Sequence, residues 1–82
     1  MTLTQLQDLG WIEVAADTEY FVAASTKVDS KWIELGYDTT TTYLHVLKVR
    51  EYPPGTKIRE TIYNGKCSDL QTFKYLQTLL GI

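Results

Sequence analysis

VREYPPGTKIRETIYNG, residues 49–65, contains both prolines of the chain and decides how its second half folds. Pro54 and Gly55 suit the two central positions of a type II turn, because proline fixes its φ and glycine accepts a positive φ. Alternating side chains on both sides of this turn are typical of two paired antiparallel strands. The stretch therefore predicts a β-hairpin with strands at 41–52 and 56–64.

The loop length determines which side chains share a face of this hairpin. With a four-residue loop at 53–56, one face carries Lys48, Arg50, Tyr52, Lys57 and Arg59. A loop one residue shorter pairs lysines with glutamates and mixes the charges. We expect the first register, because it also gathers the apolar residues of both strands on the opposite face. Those residues are Leu47, Val49, Ile58 and Ile62.

Upstream of the hairpin, three further segments alternate in the manner of strands, at 11–15, 19–24 and 31–37. The threonine run at 39–42 is β-branched, so we expect its last two residues to begin the first strand of the hairpin. The links between segments are too short for parallel crossovers. We therefore expect an antiparallel sheet of about four to five strands, built as a meander of hairpins.

Helical patterns flank the strands. At residues 2–9, Thr2 and Gln5 have the spacing of a capping box. Near the C-terminus, Ser68 is expected to open a second helix, whose apolar positions are Leu70, Phe73, Leu76 and Leu80. The sequence thus predicts an α+β fold with a short N-terminal helix and a C-terminal helix packed on one sheet face. We expect residues 1–82 to form a single compact domain.

Few groups in the chain can carry chemistry. His45 is the only histidine and Cys67 the only cysteine, so no metal cluster forms unless carboxylates or a second chain contribute. The five glycines are scattered singly, so there is no phosphate-binding loop. A Cys67–His45 dyad is conceivable, but no nucleophile motif surrounds the cysteine. We expect no catalytic, cofactor-binding or metal-binding residue, and hence no enzyme.

Charge is unevenly distributed along the chain. Residues 1–40 carry two cations against seven acidic side chains, and residues 41–82 carry six against three, which makes −5 and +3. The net charge of −2 argues against general nucleic-acid affinity, but the polarity can orient a partner.

Missing catalytic groups and charge polarity favour a binding function. We expect a small protein that docks on a larger protein as an inhibitor or adaptor, a profile that fits accessory proteins of phages and mobile elements. The predicted partner-binding residues are Lys48, Arg50, Tyr52, Lys57 and Arg59. The second hypothesis is an RNA- or DNA-binding module that uses the basic hairpin 48–59. The simplest alternative is a solvated hairpin tip whose lysines keep a sheet edge from aggregating.

The single cysteine also bears on location, because one cysteine cannot form an internal disulfide. A chain this small usually needs disulfides when secreted, so we expect a reducing, cytoplasmic setting. The N-terminus lacks the basic and apolar regions of a signal peptide. No apolar run is long enough to span a bilayer, so we expect no membrane partner.

Overall fold

Five antiparallel strands form the centre of the computed structural model, which describes all 82 residues. The elements are α1 (Leu3–Asp8), β1 (Ile12–Ala16), β2 (Tyr20–Ala24), β3 (Lys31–Asp38), β4 (Tyr43–Glu51), β5 (Lys57–Lys66) and α2 (Leu70–Leu80). Each strand pairs with the next in chain order, so the sheet is a meander from β1 to β5. The predicted α+β fold class is confirmed.

The sheet has two faces that differ in what covers them. Both helices pack on the front face, whose buried strand residues are Phe21, Ala23, Leu35, Tyr37, Leu44 and Val46. Leu6 of α1 and Phe73 of α2 are fully buried in this cluster, and the rings of Phe73 and Trp11 meet edge to face. The back face carries the alternate residues of the same strands, among them Trp32, Glu34, Leu47 and Val49. The front face is therefore the main core.

The C-terminal helix packs on the sheet as predicted, with Phe73 buried and Leu70, Leu76 and Leu80 half-buried. It begins one residue later than expected, because Asp69 and not Ser68 is its N-cap. Asp69 Oδ1 accepts a hydrogen bond from the Thr72 backbone N–H at 2.7 Å, and this bond lowers the pKa of the Asp69 carboxyl. Aspartate caps a helix at least as well as serine, which explains the shift. Neither helix is long and apolar enough to cross a membrane.

The threonine run 39–42 is a turn, so the prediction that its last two residues begin a strand is wrong. Asp38 Oδ1 accepts hydrogen bonds from the backbone N–H groups of Thr40 and Thr41, at 2.8 and 3.0 Å. Thr42 has a φ of 57°, in the left-handed region. A local bond from an aspartate side chain competes with strand pairing and closes the chain into a turn. The strand therefore begins at Tyr43.

Candidate functional site

The turn of the β4–β5 hairpin forms at the predicted residues. Gly55 has a φ of 88°, and the Thr56 N–H donates to the Pro53 carbonyl at 3.0 Å. These are the features of a type II turn with Pro54 and Gly55 in the centre. Five residues, 52–56, separate the last residue of β4 from the first residue of β5, an odd number like that of the three-residue alternative and not the predicted four.

The register of this hairpin contradicts the predicted cationic face. Glu51 pairs with Lys57, and Val49 pairs with Arg59, so the hairpin adopts the register that mixes charges. A bulge lies farther along β5, where Ile62 has no partner on β4. The bulge lets β5 change phase, so its apolar residues need not all share one face with those of β4. Our argument for the other register assumed an unbroken alternation, and it fails for this reason.

The five predicted partner-binding residues consequently lie in three places. Lys48 and Arg50 lie on the front face, Lys57 and Arg59 lie on the back face, and Tyr52 lies in the loop with 75% of its surface exposed. The five residues therefore do not form one common surface.

Two cations near the back face form ion pairs with acidic side chains. Arg59 Nε lies 3.8 Å from Glu34 Oε1, and Glu34 Oε2 accepts a hydrogen bond from Trp32 Nε1 at 3.0 Å. Lys27 Nζ lies 3.1 Å from Glu51 Oε1, and this hydrogen bond is the main cause of a lowered pKa of Glu51. Lys57, the other cation that the hairpin places on this face, lies opposite Glu51 but forms no ion pair within 4.0 Å.

The front-face cations line an open groove of about 640 Å³. We call it the basic groove, and its sheet residues are Lys31, Trp32, Ile33, Lys48, Val49, Arg50, Ile58 and Glu60. Ser25, Thr26, Val28 and Asp29 of the β2–β3 connection form one wall, and no residue of α2 lines it. The groove therefore occupies the part of the front face next to the region that the helix covers.

Three cations of the basic groove are neighbours on two adjacent strands. Lys31 lies directly opposite Arg50, and Lys48 lies two residues from Arg50 on the same face of β4. No acidic side chain lies within 4.0 Å of any of the three cations, since the ion pairs of the chain are Lys27–Glu51 and Arg59–Glu34. Like charges directly opposite each other destabilise a sheet. The groove thus holds these three cations together with the carboxylates of Glu60 and Asp29, and none of the three cations forms an ion pair.

A short hairpin fixes Lys31 at the mouth of the groove. Val28 and Lys31 exchange two backbone hydrogen bonds of 2.8 and 2.9 Å. Asp29 and Ser30 between them have φ values of 52° and 61°, as a type I′ turn requires. The Glu51 N–H donates to the Ser30 carbonyl at 2.9 Å, which ties this turn to the end of β4. Backbone contacts alone therefore place Lys31 beside the cations of β4.

The cysteine and the histidine lie on opposite faces of the sheet. Cys67 is 1% exposed within the front-face core, and burial raises the pKa of its thiol. His45 lies on the back face, where its Nε2 is 3.1 Å from Thr61 Oγ1. No group of three or more His, Cys, Asp or Glu side chains is placed to hold a metal ion. The conceivable Cys67–His45 dyad does not form.

Cys67 should react slowly with iodoacetamide in the folded protein. The thiolate is the reactive form of the side chain. The raised pKa lowers the fraction of thiolate, and the burial of the sulfur limits the access of the reagent. We expect labelling, followed by mass spectrometry, to be slower in buffer than in denaturant by about tenfold or more. Rapid labelling of the folded chain would show that Cys67 is accessible and would reopen its candidacy as a nucleophile.

No protein-family model, curated protein or solved structure matches this chain. By fold and site, it is a small α+β meander that carries a basic groove beside its C-terminal helix.

Proposed function

We propose that this protein is a non-enzymatic binding protein that docks on a larger protein through the basic groove, as an inhibitor or an adaptor. The observation that carries the proposal is that Lys31, Lys48 and Arg50 lie together on one face of the sheet and none of them forms an ion pair. An acidic partner surface would supply the missing counter-charge. We also propose a cytoplasmic location, which the single unpaired cysteine supports.

Apolar side chains next to these cations support a protein partner. Ile33 lies opposite Lys48, and Ile58 lies opposite Arg50. Ile58 is 46% exposed, so a partner can still cover it. Protein interfaces combine apolar contacts at their centre with charged groups at their rim, and the charges contribute to orientation and association rate.

Nucleic-acid binding, the second hypothesis, has less support. This hypothesis was based on a single hairpin face with four cations. In the structure, Lys57 and Arg59 lie on the opposite face of the sheet from Lys48 and Arg50. Glu60 and Asp29 also line the basic groove and interrupt its row of cations. A binder of a nucleic-acid backbone needs cations that follow the strand without such interruptions.

The test is affinity capture from the source cells, with and without nuclease. We expect wild-type protein to capture one protein partner in both conditions, and to lose it as salt rises. The double variant Lys48→Gln/Arg50→Gln should not capture it. The control Lys66→Gln/Lys74→Gln removes the same charge outside the groove and should behave as wild type.

Each outcome of this capture bears on the proposal. Retention of the partner by Lys48→Gln/Arg50→Gln would exclude the basic groove as the docking site. Loss of all captured protein on nuclease treatment would favour the nucleic-acid hypothesis instead.

A further inference from the structure

We infer that Glu51 joins the wall of the basic groove to the β4–β5 loop, so that the two segments loosen or tighten together. The wall belongs to the β2–β3 connection, residues 25–30, and the loop is residues 52–56. The inference concerns how the groove is held together and does not depend on what docks there. Its basis is that one residue, at the end of β4, bonds to both segments.

Glu51 contacts the wall through its side chain and through its backbone. Glu51 Oε1 accepts a hydrogen bond from Lys27 Nζ at 3.1 Å, and the Glu51 N–H donates to the Ser30 carbonyl at 2.9 Å. The Lys27 ammonium also lies 5.1 Å from the centre of the Trp32 ring, which is a cation–π distance. The wall is therefore attached to the end of β4 at two positions.

The other oxygen of the same carboxylate contacts the loop. Glu51 Oε2 accepts a hydrogen bond from the Gly55 N–H at 3.3 Å. The two oxygens belong to one planar group, so a rotation of the side chain that releases Lys27 also changes the bond to Gly55. Loosening of the wall is therefore transmitted to the loop.

This coupling acts in both directions, because a coupling free energy between two sites is reciprocal. The loop carries Tyr52, whose surface is 75% exposed. A partner that contacts the loop and orders it would therefore also hold the wall of the groove in place. The contacts of Glu51 thus give the groove a second position from which its shape is controlled.

Amide hydrogen exchange of the full chain, followed by NMR, tests the coupling in the variant Glu51→Gln. Glutamine keeps the size of the side chain but lacks the charge and one of the two oxygens. The reporters are the amides of Val28 in the wall and Thr56 in the loop, because both bond to neighbouring carbonyls and not to Glu51. We expect both amides to exchange about two- to fivefold faster, the effect of losing about one exposed ion pair.

The matched control is Arg59→Gln, which removes the other ion pair of the chain. Arg59 lies beside Glu34 and contacts neither the wall nor the loop through this pair. We expect Val28 and Thr56 to exchange in this variant as they do in wild type.

A pH titration supplies a second measurement. The charged groups that act on Glu51 are Lys27 and Lys57, and together with the two hydrogen bonds these cations lower the pKa of the carboxyl. The bonds are therefore intact above this lowered pKa and are lost as the pH falls through it. In wild type, we expect the amide shifts of Lys27 and Gly55 to move together, with one midpoint below the usual range of a glutamate. Glu51→Gln should abolish this shared transition.

The outcomes decide the inference without the partner. Faster exchange of one reporter alone, or separate midpoints for Lys27 and Gly55, would show that the wall and the loop move independently. Unchanged exchange of both reporters would show that Glu51 holds neither segment. Equal acceleration in Arg59→Gln would attribute the effect to the loss of any ion pair. Each of these results overturns the coupling and leaves the capture experiment unaffected.

Discussion

Replacing Phe73 with alanine should leave little folded protein. Phe73 is fully buried at the centre of the core, where its ring meets Trp11 at a centroid distance of 6.0 Å. Removal of a buried aromatic ring costs about 3–5 kcal/mol, because the surrounding residues close the cavity only in part. A chain of 82 residues has a total stability of about 4–12 kcal/mol, so this loss consumes much of it.

Thermal and urea denaturation, followed by circular dichroism, measure this loss. The matched control is Tyr75→Ala, which removes an aromatic ring from the same helix at a position that is 64% exposed. Its stability should stay within about 0.5 kcal/mol of wild type. A Phe73→Ala variant that melts within a few degrees of wild type would mean that α2 does not hold the sheet together.

The features predicted correctly depend on residues close together in sequence. The type II turn needs only Pro54 and Gly55, and the capping box of α1 needs only Thr2 and Gln5, three positions apart. The apolar positions of α2 repeat within three or four residues. Local steric preferences and short-range hydrogen bonds decide such features, so a single sequence is enough to predict them.

The features missed depend on contacts that the sequence pattern does not contain. The hairpin register depends on the phase between β4 and β5, and the bulge at Ile62 changes this phase along the strand. The apolar pattern of a sequence cannot locate such a bulge. One inserted residue moves all later side chains of the strand to the opposite face, and the sequence shows no change of residue type at that point. The turn at 39–42 was missed for a different reason. The Asp38 side chain, directly before the threonines, accepts hydrogen bonds from their backbone N–H groups. This local bonding outweighs the preference of threonine for strands.

The candidate site was predicted only in part, because its composition also depends on how the strands pair. Lys48 and Arg50 were identified, but they were grouped with Lys57 and Arg59, which face the other way. Lys31 was not identified, because its place opposite Arg50 follows from the pairing of β3 with β4. A pairing of the two strands that aligned Leu35 with Val46 would have placed Lys31 on this face, opposite Arg50.

Reversing the charge of Arg50 should weaken binding without weakening the fold. In Arg50→Glu, a carboxylate replaces the cation opposite Lys31, so a repulsive cross-strand pair becomes attractive. Such pairs contribute about 0.2–1 kcal/mol, and we expect the free energy of unfolding to stay constant or rise by that amount. The same carboxylate would face the acidic surface of the partner. We expect affinity for the captured protein to fall by about 2–3 kcal/mol, or about 30- to 150-fold, measured by titration calorimetry.

Arg59→Glu is the matched control, and it should show the opposite behaviour. Arg59 lies on the back face beside Glu34, whose side chain is 19% exposed, so reversal places two carboxylates together. We expect stability to fall by up to about 1 kcal/mol while affinity stays within about twofold of wild type. The two arginines belong to one hairpin and carry equal charge, so a general electrostatic attraction would make both variants lose affinity alike. Opposite behaviour requires that the partner contact the front face, where Lys31, Lys48 and Arg50 form no ion pair. Equal losses of affinity would show that only the total charge of the hairpin matters and that the groove has no special role.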